Sequence, residues 1–294
     1  MANRLLFICL LWSTALQVFP QSPDTLPAQP DKKKLKSFII VGSTAYTATL
    51  VGLDRLWYSD GNRQSFRFFN DSREWKQMDK VGHFYSAFHL SQATSRSLQW
   101  CNVDTKKANL WGSVTGFLML LPIEIFDGFS ADYGASTSDL LANAAGAAFY
   151  FGQTALWDEV RIHPKFSFHR TEYPILRNDN TLGNNLVSEL LKDYNGQTYW
   201  LSVDMDKFIK FPKWINLAVG YGADGMVYAS NRQNIAGGYT AHRQFYLGID
   251  IDLSHIKTRS KALNTALYIV NLVKLPAPAL QFSAGSVSFS AFQF

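Results

Sequence analysis

Between residues 37 and 156 of this 294-residue chain, four runs contain no Lys, Arg, Asp or Glu: Ser37–Leu53, Val81–Ser95, Ala108–Ile123 and Leu140–Leu156. Each is at or just below the roughly 17 apolar residues that span a bilayer. All are dotted with Gly, Ala and Ser, which allow helices to approach closely. The pattern predicts a bundle of about four short apolar helices. Pro122 lies inside the third run, where it removes a backbone donor, and it predicts a kink just ahead of Glu124. Charged residues make up 17% of the chain, against about 25% in soluble domains, which places a membrane-associated bundle ahead of the alternative, a buried soluble bundle. The formal charge of +5 is scattered apart from Lys32, Lys33, Lys34 and Lys36, and no nucleic-acid motif accompanies it. Membrane lipids are therefore the expected partners and nucleic acid is not.

The flanking segments set the organisation. Residues 1–20 hold Arg4, an apolar stretch and Ser13-Thr14-Ala15, the layout of a secretion signal. Residues 21–35, rich in Pro, Asp and Lys, read as a flexible linker, and 36–158 as the helical bundle. With the signal removed, Cys101 would stand alone, which rules out an internal disulfide framework. In 159–294 the pattern changes. Asp158 to Asn195 reads as loop with a short helix at Leu186 to Leu191. Thr198 to Val203 and Ile215 to Tyr221 read as short strands. Phe245, Leu247, Ile249, Ile251 and Leu253 alternate with polar residues and Gly, giving a strand with one apolar face. Ser260 to Val273 returns to helical spacing, and Leu280 to Phe294 closes the chain as one or two strands. The fold class is α+β, with a small antiparallel sheet after the bundle. An outer-membrane protein dominated by these strands and ending on Phe294 is a weaker reading, because too few strands are visible to close a barrel of eight.

The chemistry lies in polar pairs at the ends of apolar helices. Asp79 and His83 are four residues apart and share a helix face that Ser86 continues; Glu124 and Asp127 are three apart; Asp139 and Asn143 repeat the spacing of four. Brought to one level, these pairs would form a polar pocket. An Asp–His pair orients an imidazole as a base or metal ligand, and a mixed Asp/Glu/His set suits a divalent ion. Asp79, His83, Glu124 and Asp139 are the candidate catalytic groups, with Lys80, Ser86, Asp127 and Asn143 as binding groups. Each has a plain structural alternative: Asp79 as a helix cap, Asp139 as part of a capping box with Ser136, His83 as an interior histidine.

Asp79-Lys80 followed by His83-Phe84, then Glu124, then Asp139-Leu140 with Asn143 and Gly146, is similar to the pattern of VanZ-like membrane proteins. It resembles more closely the YfiM-like family of predicted periplasmic lipoproteins, in the longer form of the Bacteroidetes. The resemblance covers roughly Ser37 to Trp157, and Lys192 to Trp200 and Tyr239 to Leu253 also look like the longer form. It implies a cell-envelope location and no assigned activity. The chain departs from the pattern in lacking a lipid-attachment cysteine with small residues before it. Asp127 also stands where VanZ-like proteins carry Gln, and no Arg falls between Phe129 and Ser138.

Two functions stay open on these residues. One is an exported envelope component whose polar cluster is structural or binds a ligand. The other is a membrane-embedded hydrolase or transferase acting on a lipid or cell-wall precursor, with His83 as base or metal ligand. No nucleophile elbow, phosphate-binding Gly-rich loop, zinc-protease helix or dinucleotide fingerprint is present.

Overall fold

The computed structural model describes residues 29–57, 63–131, 133–177 and 179–293. The expected signal segment, most of the expected linker and Phe294 lie outside the described residues. The protein is α+β, with helices in the N-terminal half and one six-stranded antiparallel sheet in the C-terminal part. The described residues divide into two units, one holding those of 29–72 and 86–159 and the other those of 73–85 and 160–293.

The helical unit begins with α1 (Lys32–Trp57). This helix starts inside the stretch expected to be linker, because the Asp31 carboxylate accepts from the backbone N–H groups of Lys33 and Lys34 at 3.0 and 3.1 Å. The second helix, α2 (Met78–Trp100), supplies Ser86 onward to this unit. The third apolar run is two helices, α3 (Thr105–Leu118) and α4 (Leu121–Gly128), with Pro122 in the first turn of α4. Proline is tolerated there, since that N–H has no intrahelical partner. Helix α5 (Thr137–Trp157) follows, capped by the Ser136 side chain.

Leu53, Ala87, Leu90, Met119, Leu120 and Ile123 form the buried apolar cluster of this unit, with Phe38 and Tyr46 packed against it. A polar lock accompanies it. The Asn109 Oδ1 accepts from Ser95 Oγ at 2.6 Å, Tyr150 hydroxyl at 3.0 Å and Gln99 Nε2 at 3.2 Å, tying α2, α3 and α5. Gly112 and Gly116 of α3 let the backbones approach: a Cβ at Gly116 would lie 2.3 Å from Ser91 Oγ, and one at Gly112 2.7 Å from Ser95 Cβ. The small residues of the sequence do serve close helix packing. Among the described residues, two stretches, Lys32–Asp54 and Thr105–Gly128, are long and apolar enough to cross a membrane.

The sheet unit contains β1 (Ile162–Phe168), α6 (Leu186–Lys192), β2 (Gln197–Val203), β3 (Ile215–Asp224), α7 (Asn231–Ala236), β4 (His242–Ile251), α8 (Lys261–Val270), β5 (Ala277–Ser283) and β6 (Ser286–Gln293). The strands pair in chain order, each antiparallel to the next. β1 lies in a stretch read from the sequence as loop. Its Pro164 is accommodated because β1 is at the end of the sheet order, where one row of N–H groups has no strand partner. Part of that edge is covered by Leu272–Lys274: Phe166 N–H donates to Leu272 O at 3.2 Å and Lys274 N–H to Phe166 O at 2.8 Å.

The sheet's two faces are reversed relative to a soluble sandwich. The inward face carries Lys165, Ser202, Asn216 and Asp250 beside Trp200 and Tyr246. Lys165 Nζ lies 2.6 Å from Asp250 Oδ2, and Ser202 Oγ donates to the same oxygen at 2.7 Å. Gly220 opposite Trp200 leaves room for the indole, since a Cβ there would come within 2.6 Å of the ring. The apolar face of β4 expected from alternation exists, and Phe245, Leu247 and Ile249 on it are exposed.

Candidate functional site

In the sheet unit, α2 opens after a left-handed turn. Trp75, Lys76 and Gln77 have φ of 46, 49 and 66°, a conformation costing non-glycine residues about 1–2 kcal/mol each. Contacts hold it. Trp75 N–H donates to Ala229 O at 2.9 Å, Lys76 Nζ to Asn231 Oδ1 at 3.0 Å and Arg243 to Gln77 Oε1 at 2.6 Å. The Tyr221 hydroxyl donates to Lys76 O, and the Trp75 ring packs on Tyr194 with centroids 5.3 Å apart. The turn delivers Asp79 into the first turn of α2 and His83 one turn on, both buried. Asp79 Oδ2 is 2.7 Å from Lys80 Nζ, and the Tyr194 hydroxyl donates to Oδ1 at 3.1 Å. Burial pushes the Asp79 carboxyl upward, while the positive charge of Lys80 and its hydrogen bond pull it down, and the carboxyl lies below the usual carboxylate range.

In the helical unit, a second set of buried carboxylates is joined through hydroxyls. Ser136 is the hub. Its Oγ accepts from Asp139 N–H at 3.1 Å, which starts α5, and donates to Asp71 Oδ1 at 2.6 Å. Its own N–H donates to Glu124 Oε2 at 3.0 Å. Ser138 Oγ donates to Asp71 Oδ1 at 2.9 Å. Asp71, Glu124, Asp127, Asp139 and Asn143 are all buried, as are Ser86 and His89 of α2.

Every residue singled out in the sequence as catalytic or binding is thus buried, except Lys80, which is partly buried and paired with Asp79. Glu124 and the head of α5, carrying Asp139, meet through Ser136 within one unit. The capping reading of Asp139 is also correct in part, because its backbone N–H, rather than its carboxylate, engages the cap. Asp71 escaped the sequence reading, and Tyr194 entered it only within the Lys192–Trp200 resemblance, with no site role. Asp71 sits in a loop without periodicity, next to Asn70 and Ser72, and Tyr194 is far away in sequence.

A class emerges from these features: an α+β protein whose helical segment buries a set of carboxylates, an imidazole and an asparagine. Residues 67–153 match a protein family described as "Predicted periplasmic lipoprotein (DUF2279)", a family of unknown function. The match starts just ahead of Asp71 and contains every candidate residue from Asp79 to Asn143. It supports an exported, envelope-associated protein. No curated protein and no solved structure matches the chain.

Proposed function

We propose that this is an exported cell-envelope protein whose segment 67–153 binds a ligand through its buried acidic residues, and that the ligand is a divalent cation. The observation that carries the reading is the near-complete burial of Asp71, Glu124, Asp127 and Asp139 in that segment. Buried carboxylates are held by hydrogen bonds, as Asp71 is by Ser136 and Ser138 and Glu124 by the Ser136 N–H, and several in one segment offer a cation pre-oriented oxygen donors. The donor chemistry fits: within the helical unit Asp71 and the head of α5 carrying Asp139 meet at Ser136, offering carboxylate oxygens, ligands suited to a divalent metal. Asn143 and Glu124 are further oxygen donors in the same matched segment. Within the family, the reading sets the chain nearer the YfiM-like long form than VanZ-like proteins, because Asp127 stands where those carry Gln.

The test is metal content of the full-length protein, purified in detergent and equilibrated with Mg²⁺, Mn²⁺, Ca²⁺ or Zn²⁺ in turn. Close to one ion per chain is expected. Ion at about 100 times its Kd should raise stability by about 2.7 kcal/mol. Asp139→Asn and Glu124→Gln should lose the ion and the stabilisation while folding normally in chelator. Wild-type protein that takes up none of these ions and shows no thermal shift would sink the proposal.

A second reading, a hydrolase or transferase acting on a lipid or cell-wall precursor, draws on Asp79. An ionised carboxylate one helical turn from His83 can orient the imidazole as a base. Under that reading Asp79→Asn reduces turnover of a lipid-linked precursor about 10²–10⁴-fold. A variant that keeps full turnover would discard it.

A further inference from the structure

The geometry points to a lipid-binding surface in the sheet unit: the outward face of β3–β6 rests on a bilayer, with the β2–β3 loop seated among anionic headgroups. Neighbouring strands align exposed apolar side chains in register. Val219, Leu247, Leu280 and Phe289 form one row across four strands. Phe245, Phe282 and Val287 form the next, and Leu217 with Ile249 begins a third. These are not scattered surface residues: Phe245 is 52% and Phe289 67% exposed, within one continuous patch. A soluble protein rarely leaves such an area in water. The opposite face holds the ion pair Lys165–Asp250 and the hydrogen-bonded Ser202 and Asn216, all buried. Trp200, Ala218, Tyr246 and Ala279 pack beside those polar groups on the inward face, so the apolar outward rows are surplus to the core, as in a sheet whose outer solvent is lipid.

Charge commits the occupant to a bilayer. The β2–β3 loop interleaves exposed Phe208, Ile209, Phe211 and Trp214 with exposed Lys207, Lys210 and Lys213. At the same end of the sheet, where Asp252 N–H donates to Trp214 O at 3.1 Å, Lys257 and Arg259 are also exposed. The acidic residues of these two loops are turned away from water: Asp204 and Asp252 are buried and Asp206 is half-buried. Aromatic side chains and lysines alternating at the rim of an apolar face complement an interface of acyl chains and phosphate. Each lysine at an anionic surface adds about 1 kcal/mol.

Because α1 can hold the chain on a membrane by itself, simple vesicle binding is uninformative, and the probe must sit on the sheet. The full-length protein with Cys9→Ser, carrying Leu247→Cys or Phe289→Cys labelled with an environment-sensitive fluorophore, is reconstituted into vesicles of phosphatidylethanolamine with phosphatidylglycerol. Cys101 is buried, and protein without the added cysteine gives the background. Both probes should be quenched roughly twofold by acyl-chain-brominated lipid and shielded from aqueous iodide, as for apolar groups sunk below the headgroups. Charge reversal of Lys207, Lys210 and Lys213 to Glu should remove the advantage of phosphatidylglycerol over phosphatidylcholine vesicles. Probes quenched by iodide and untouched by brominated lipid overturn the proposal. So does thiol cross-linking between two copies of the unlabelled Leu247→Cys variant, which would make the face a protein interface. A charge-reversed loop that leaves the lipid preference unchanged removes the headgroup assignment.

Discussion

At the scale of single residues, Ser136 joins fold and candidate site. It caps α5, donates to Asp71 and offers its N–H to Glu124. Ser136→Ala removes the cap, worth about 1 kcal/mol, and strips a donor from a buried carboxylate, worth about 1–3 kcal/mol. Chemical denaturation should show a loss within that combined range; a loss no larger than at an exposed serine would show that the hub is unimportant. Two titrating groups make predictions of opposite sign. The Asp79 carboxyl is held low in the folded protein, so the unfolded chain takes up its proton first on acidification. Its contribution is complete at neutral pH and is lost as pH falls through and below the ordinary carboxylate range. Asp79→Asn should flatten that acid limb. Lys274 is buried against Trp200, its Nζ 4.4 Å from the ring centroid, and burial drives its pKa from 10.5 down to about 8. The folded protein gives up this proton first, so stability should rise between pH 8 and 10.5. Denaturant midpoints across that interval should climb in wild type and lose the Lys274 part of the slope in Lys274→Met. At this scale the sequence was readable where spacing carried the information. Asp79 with His83 and Asp139 with Asn143 stand out by a separation of four, whereas Asp71 and Tyr194 have no local pattern to announce them.

At the scale of elements, the close approach of α3 to Ser91 and Ser95 makes a sharp contrast between glycines. A methyl group at Gly116 would lie 2.6 Å from the Ser91 backbone nitrogen, while one at Gly152 of α5 meets nothing within 4 Å. Gly116→Ala should cost about 1–3 kcal/mol through overpacking. Gly152→Ala should be neutral or stabilise by up to about 1 kcal/mol, since it only removes freedom from the unfolded helix. Thermal unfolding of the pair checks both. The apolar helices and the start of α5 at Ser136 were legible from periodicity and capping, whereas the kink expected at Pro122 is a full break, with α3 ending at Leu118 and Pro122 opening α4. β1 was not, because Pro164 and Lys165 mask a strand whose support comes from β2 and Leu272–Lys274. Alternation in β4 disclosed an apolar face, but a period of two carries no sign for inside or outside. That sign came from the register of four strands and the buried Lys165–Asp250 pair.

At the scale of the whole chain, the sequence, the matched segment and the apolar surfaces agree on the cell envelope. Ile39, Ile40 and Val41 of α1 are exposed, as are the outward rows of the sheet. Tagged protein should fractionate with membranes, resist alkaline carbonate extraction and be released by detergent. Recovery in the soluble periplasmic fraction would contradict a membrane-bound state. The metal reading of 67–153 and the lipid reading of the sheet are independent, so either can fail alone.

The strip Leu272–Lys274 along β1 also has a consequence for the order of assembly. Every strand pairs with the one synthesised just before it, so the meander can be laid down as the chain emerges from a translocation channel, with little loop-closure entropy to overcome. The covering of β1 must wait for residues more than a hundred positions later. Until they arrive, the first edge is an open template for another chain. The exposure of that edge is therefore a matter of timing: it lasts in a nascent molecule until residues 272–274 have been made.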